Sequence, residues 1–496
     1  MNAQSHRLST LLFGTMLLLA AACHTQAPRR SIDRSGLPAV GAPAQWTPPT
    51  VETWRMDNGM TVYYVPLHHA PLLNVQLILP HGASTDPQGK AGLTNLMADM
   101  LDEGTAAMNA MVLSDAFQRL ATDYHASAST DTITLSMHLI ASKLGPSLAL
   151  LRDVVRSPTL PKTEFDRRKA QRIAGALSSE AEPGTGQWNT IRRVLAGTGY
   201  AGTPTGGTRT TLLAIQHEDV VAHYKNVVAP QGASIVVVGD ADGPTVKKAI
   251  TKAFGDWSGS PTVQQRAPSP PAQDIHAIHL IDYPGSAQSA IAVARPAGSF
   301  HSPTRVEDKI FNRILGGAFV SRINMNLRED KGYTYGARSI FARLRRLGMF
   351  VTYSSVKTST TLASLQEIQK EMVGIVRGKP ITPYELNAAK KGLLLGLPAK
   401  YERIGTVADQ VATLATYGLP PNWLQIQAKK IDAVSMKSVT ESAKRNAVWD
   451  RMAIVVAGDR ALIEDDLKKF GLPILLYDAQ GNRLQSGVQS TQAIDR

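Results

Sequence analysis

Cysteine is almost missing from this chain: one residue, Cys23, in 496. No disulfide can form within the chain, and no thiolate cluster can hold a metal. Its 12 histidines include the pairs His68/His69, His217/His223 and His276/His279, and none of them forms His-x-x-Glu-His or His-Glu-x-x-His. They read as surface or packing residues. A Gly-x-Ser-x-Gly elbow and a Gly-Lys-Ser/Thr phosphate loop are both absent, which removes the common serine-hydrolase and nucleotide-binding readings. Acidic residues are fewer than basic ones, 40 against 53, for a net charge of +13. Yet no run of five Lys/Arg occurs, and no basic patch is interleaved with aromatics, so nucleic acid is not an expected partner. Arg343, Arg345 and Arg346 form a small cluster expected at the surface. The charge suits an anionic membrane surface, an acidic peptide or an acidic partner protein.

Long apolar runs are also absent. The longest candidate, residues 11–22, is too short to span a bilayer comfortably. It follows Arg7 and ends in Leu19-Ala20-Ala21-Ala22-Cys23, so residues 1–23 read as an export signal. Small residues directly before the sole cysteine resemble a bacterial lipoprotein box, with Cys23 as the lipidated first residue of the mature protein. The alternative is an ordinary cleaved signal with an incidental cysteine. Either way the expected location is outside the cytoplasm: periplasmic, held to the membrane if Cys23 is acylated. Residues 24–50, rich in Pro and Ala, form an extended tether.

The body of the chain has 43% hydrophobic residues overall, enough for several cores. Strands are expected at 61–65, 73–79 and 132–137, with helices at 91–102, 113–120, 148–155 and 162–178. A helix at 218–224 leads into a continuous apolar strand, 233–240, ending Gly239-Asp240. The same plan returns at 439–445 and 452–459, ending Gly458-Asp459. Two equal halves closing alike suggest duplication. The expected layout is a first half at 51–257, a proline-rich linker at 258–274, a second half at 275–475 opening with strands at 278–282 and 288–293, and a tail at 476–496. The fold class is α+β.

Within the first half, Asn95 and Asp99 stand four apart on one helix face, with Ala98 beside them. The segment around them, Gly82-Ala83-Ser84-Thr85-Asp86 through Gly92-Leu93 to Asp102-Glu103-Gly104-Thr105, resembles the pitrilysin/insulinase superfamily of inverted zinc peptidases, and in particular processing-peptidase-like bacterial pairs. The resemblance covers roughly residues 49–471. It implies two homologous halves, each of antiparallel sheets with helices packed on one face, forming a clamshell. It also implies a His-x-x-Glu-His helix, in which two His bind zinc and the Glu activates water. Here those slots hold Asn95, Ala98 and Asp99. The family's third ligand, a Glu after a Glu-Phe-x-Arg segment matched by Glu164-Phe165-Asp166-Arg167, falls on Ala174 or Gly175. All three ligands and the base are therefore replaced, and no zinc is expected in this chain.

In the second half, Leu327-Arg328-Glu329 through Gly332 to Tyr335 resembles the family's Leu-Arg-Glu-x-x-Gly-x-x-Tyr signature. By that resemblance Arg328 and Tyr335 reach across to substrate at a zinc site, Arg as a forked cation and Tyr as an O–H donor to developing oxyanion charge. The long Gly-rich loop of the processing-peptidase α-type subunit is missing, because Gly316-Gly317 runs straight into Ala318-Phe319. The expectation is a non-catalytic subunit that lends Arg328 and Tyr335 to a homologous partner chain carrying His-x-x-Glu-His and the zinc. The pair would cleave oligopeptides or unfolded segments. The alternatives are a catalytically dead peptide-binding or structural envelope lipoprotein, and a lone peptidase with a divergent metal site.

Overall fold

The structure is a computed structural model and describes residues 46–272 and 274–485. The signal segment, Cys23, the tether up to residue 45 and the last eleven residues lie outside the described residues. Among the described residues no helix is long and apolar enough to cross a membrane.

Two six-stranded sheets organise the chain. The first contains β1 (Glu52–Arg55), β2 (Thr61–Pro66), β3 (Leu72–Leu79), β4 (Asp123–Ala128), β5 (Ile133–Ile140) and β6 (Ser234–Gly239), in the order β1-β2-β6-β3-β5-β4. The second contains β7 (Ile278–Asp282), β8 (Gln288–Ala297), β9 (Ala337–Arg343), β10 (Gly348–Lys357), β11 (Ala453–Gly458) and β12 (Ile474–Tyr477), in the order β12-β7-β11-β8-β10-β9. Five strands correspond one to one: β2-β6-β3-β5-β4 against β7-β11-β8-β10-β9. The halves are homologous α+β units, as the repeated helix–strand–Gly-Asp plan predicts. The sixth position is filled differently. β1 precedes β2 in the chain and pairs with it antiparallel, whereas β12 follows everything else and joins β7 parallel.

Most pairs are antiparallel, as expected, but β6 runs parallel to β2 and β11 parallel to β7. Both strands return to the sheet after a long helical connection, the arrangement a parallel pair requires. β5 alternates as a half-buried strand should, with Ile133, Leu135, Met137 and Leu139 inward. β6 and β11 are buried at every residue, so both of their faces are covered.

That double cover goes beyond helices on one face. Each sheet packs its own half's helices on one side, around Leu96, Met97, Leu148 and Phe254 in the first and Phe311, Leu365 and Ile368 in the second. On the other side each sheet receives a helix from the opposite half. The Pro183–Ala196 helix sets Ile191, Val194 and Leu195 on Ala290, Ala292, Ala294 and Val455 of the second sheet. The Ile404–Tyr417 helix sets Val407, Ala408 and Val411 on Val65, Ile78, Val236 and Val238 of the first. Gln76 of β3 donates to Asp409 of that helix at 2.9 Å.

The linker is strapped to the first half: Arg266 donates to Asp86 O (3.4 Å) and Thr198 O (3.1 Å). Residues past 475 belong to the second sheet through β12, and Ala479 O accepts from Asn189 Nδ2 at 3.0 Å. Arg343, expected at the surface, is buried and pairs with Asp308 at 2.6 Å. The sequence cluster did not reveal that acid because it lies on a different element.

Candidate functional site

The helix carrying the degenerate motif spans Leu93–Met100. Gly92 before it has φ of 99°, a left-handed conformation that favours glycine, and a Cβ there would meet Gly206 O at 2.8 Å. The helix start is held by the buried Asp86 carboxylate, which accepts from Gly92 N (2.8 Å), Thr94 N (2.8 Å) and Thr94 Oγ1 (2.5 Å). Thr94 Oγ1 also lies 2.8 Å from His223 Nε2. Burial pushes the Asp86 carboxyl up to about 6, against the pull of these hydrogen bonds, and pushes His223 down to about 4.

The three replaced positions have each taken up structural work. Asn95 Nδ2 donates to Ala128 O (3.0 Å) and Thr205 O (2.9 Å), and its Oδ1 accepts from Ala128 N (3.1 Å). It clamps the end of edge strand β4 to the helix. Ala98 is fully buried in the core, where a carboxylate would be stranded without water. Asp99 faces a cleft of about 730 Å³ and meets Arg172 from the Lys162–Glu180 helix. Arg172 Nη2 donates to Asp99 Oδ1 (2.8 Å) and to Asn95 O (3.1 Å), and its Nε donates to Asp99 Oδ2. A forked guanidinium thus holds the one remaining carboxylate.

Of the two positions matching the third ligand, Gly175 lines the cleft and Ala174 is exposed elsewhere on the helix. Neither carries a donor. These residues do not fit zinc: Asn95 is spent on β4, and Asp99 on Arg172. Among the described residues no group of three or more His, Cys, Asp or Glu is placed to hold a metal ion. His217 Nε2 instead meets Leu160 O at 2.7 Å, and His279 Nδ1 meets Tyr477 Oη at 3.2 Å. His68 and His69 lie in the turn after β2.

Three residues of the cleft were missed in the sequence. Arg172 is three before Gly175, hence on the same helix face, and that spacing was the available signal. Trp188 and Arg192 come from the crossing Pro183–Ala196 helix, with the Arg192 guanidinium 5.8 Å from the Trp188 ring. Burial lowers the Arg192 pKa below its ordinary value. Nothing local in the sequence ties that helix to the motif.

Arg328 and Tyr335 make different contacts. Tyr335 is 91% exposed and lines a hollow of about 400 Å³ with Arg338 and Tyr353. Tyr353 packs edge-on at 5.6 Å against Trp188, a lining residue of the cleft. Arg328 lies in a π-helical turn, Met325–Asp330, over the Phe319 ring at 4.7 Å, and its Nε is 3.2 Å from Glu329. It does not line the hollow.

Two family descriptions match this chain in succession: Insulinase (Peptidase family M16) over residues 62–200, and Peptidase M16 inactive domain over residues 214–393. The chain belongs to the M16 peptidase family. It is similar to the "Non-peptidase homolog YmxG" of Helicobacter pylori, 22% identical over 80% of this chain and 92% of that one. It is also similar to the "Uncharacterized zinc protease YmxG" of Bacillus subtilis, 22% identical over 60% and 72%. Those names disagree about catalysis. A peptidase M16 inactive domain from Pseudomonas fluorescens shares the fold, with a TM-score of 0.76, 24% identity and coverage of 82% of this chain and 97% of that one. So does a Helicobacter pylori protease, with a TM-score of 0.78, 17% identity and coverage of 83% and 99%.

Proposed function

We propose that this chain is the non-catalytic subunit of a two-chain zinc peptidase, exported and held to the membrane through Cys23. The observation that carries the reading is the Asp99–Arg172 pair. A guanidinium supplies the positive charge that a metal would otherwise bring to the motif helix, while the cleft beside it stays open. A homologous partner with an intact His-x-x-Glu-His helix brings zinc, base and water. This chain completes the chamber and offers Tyr335, and Arg328 after a turn away from Glu329, to peptide bound there. An extended peptide pairing through its backbone makes such a chamber tolerant of sequence, so the substrates are oligopeptides or unfolded segments.

One observation favours the second reading, a peptide-binding envelope lipoprotein without a catalytic partner: Arg328 is engaged by Phe319 and Glu329. The test is co-purification with a His-x-x-Glu-His homologue followed by peptide turnover. In the reconstituted pair Tyr335→Phe should cut turnover by about 10²–10³, the usual cost of an oxyanion donor, with assembly intact. Normal turnover in an assembled Tyr335→Phe complex would refute the shared-site role. Failure to find a catalytic partner while peptides still bind would establish the lipoprotein reading. Metal analysis of this chain alone should find no stoichiometric zinc, and Cys23→Ser should move the protein to the soluble fraction.

A further inference from the structure

A second cavity, of about 170 Å³, shares no lining residue with the cleft and lies between the Arg305–Leu315 and Ile404–Tyr417 helices, the turn at Pro398–Tyr401, the start of the Trp423–Ala433 helix and the segment before β1. Arg305, Lys309 and Lys400 line it, and no acidic side chain is among its lining residues. The Arg305 guanidinium lies over the rings of Phe300 (4.3 Å) and Trp423 (5.1 Å). Its Nη2 is buried with no acceptor. Buried guanidinium N–H groups are normally paired, so this one is an unfilled donor.

The sequence carries the same imbalance. Arg305, Lys309 and Arg313 recur at every fourth residue of one helix, a like-charge stripe that destabilises the helix unless neutralised. Burial, with Lys400, Arg305 and Arg313 nearby, holds the Lys309 ammonium down at about 8. Burial and Arg343 hold Arg305 down at about 10. A protein keeps such a cluster at a cost in stability, and an anion removes that cost.

We propose that the cavity lined by Arg305, Lys309 and Lys400 is a binding site for a phosphate dianion, free or as a phosphomonoester. A phosphate group brings close to two negative charges and several acceptor oxygens, which matches one forked guanidinium and two ammonium groups better than a single carboxylate does. The volume is near that of the ~150 Å³ engineered cavity known to accept benzene, which is enough for one phosphate. Arg305 Nη2 donates to one oxygen, Lys309 to a second, and Lys400, exposed at the mouth, closes over the ligand. The site is independent of the M16 cleft and of the reading proposed for it.

The test is calorimetric titration of the purified chain with inorganic phosphate and with glycerol phosphate. One saturable site per chain is expected, with a rise in thermal stability on binding. Lys309→Met should weaken it about tenfold or more. Lys400→Gln, at an exposed position that leaves the fold untouched, should weaken it roughly two- to fivefold. Competition by phosphatidylcholine vesicles doped with phosphatidic acid identifies a lipid headgroup as the source. Binding untouched by those vesicles identifies a soluble phosphate; both outcomes keep the ligand class. Absence of saturable binding by either phosphate, or wild-type affinity in Lys400→Gln together with Lys309→Met, overturns the proposal. If Lys309→Met does not fold, Lys400→Gln decides alone.

Discussion

The two halves share one strand order and differ in what lies against it. The face of the first sheet that receives the foreign helix is built of Val65, Ile78, Val236 and Val238. The equivalent face of the second mixes alanines, Ala290, Ala292, Ala294, Ala453 and Ala457, with the larger Ile281, Met349, Val351 and Val455. The alanines give the second face more small positions than the first, so the two crossing helices meet differently shaped surfaces on otherwise similar platforms. The charged sites differ as well. In the first half Asp99 and Arg172 neutralise one another in the cleft, whereas in the second Arg305, Lys309 and Lys400 gather without an acid among the lining residues. Duplication supplied the platforms, and the divergence lies in the residues set upon them.

The sharpest way to break the comparison is at the two exchanged faces. Val236→Asp places an unpaired charge beneath the Ile404–Tyr417 helix and should cost about 3–5 kcal/mol. Ala292→Leu overfills the tighter face and should cost about 1–3 kcal/mol. Urea unfolding of both variants gives the ranking, and equal costs would contradict the difference between the two faces.

The next effect is a pH dependence hidden in the first half. Asp86 holds its proton up to about 6 when folded, against an ordinary 3.8, so its contribution is full below 3.8 and is lost as pH rises through 6. His223, lowered to about 4 from 6.5, contributes above 6.5 and loses that contribution as pH falls through 4. Between 4 and 6 the unfolded chain keeps this proton on His223 and the folded chain keeps it on Asp86, so the pair adds no slope. His223→Asn should unmask a loss of roughly 3 kcal/mol as pH rises from 4 to 6. Asp86→Asn should unmask the opposite slope, a loss as pH falls from 6.5 to 4. Unfolding free energies across that range, compared with the parent protein, check both signs.

Smaller effects separate the two candidate sites. The Asp99–Arg172 side chains are 24% and 23% exposed, so Arg172→Ala should destabilise by about 1–3 kcal/mol, between an exposed and a buried pair. Arg172→Ala combined with Asp99→Ala should recover part of that loss. Arg328→Ala and Tyr335→Phe, both at exposed positions, should stay within about 0.5 kcal/mol of the parent in the isolated chain. A large loss in Tyr335→Phe would mean that its hydroxyl is bonded within this chain and is not held out for a partner.

Much of the fold was legible because its strands are strongly patterned. The strands expected at 61–65, 73–79, 233–240 and 452–459 appear within a residue or two as β2, β3, β6 and β11. The edge strands were not. β4 reads Asp-Tyr-His-Ala-Ser-Ala, and with mostly exposed or half-exposed side chains it carries no apolar alternation. Neither crossing helix was among those expected, and the sheet that receives a helix leaves no mark on the helix itself. At the site, the residue types standing in the slots that the family resemblance assigns to zinc ligands were visible in the sequence. Their partners were not, since Arg172 reaches Asp99 across 73 residues and only the fold makes them neighbours.

The exchange of helices also sets an order of events during synthesis. β6, which completes the first sheet, ends at Gly239, and the helix that covers its second face begins at Ile404, about 165 residues later. At ordinary rates of chain elongation that interval is on the order of ten seconds or more. Throughout it, Val65, Ile78, Val236 and Val238 form an open apolar surface on a sheet that is otherwise ready to fold. A nascent or truncated chain ending before residue 404 therefore presents a sticky platform, and a chaperone with an apolar groove has a defined target on it until the second half arrives.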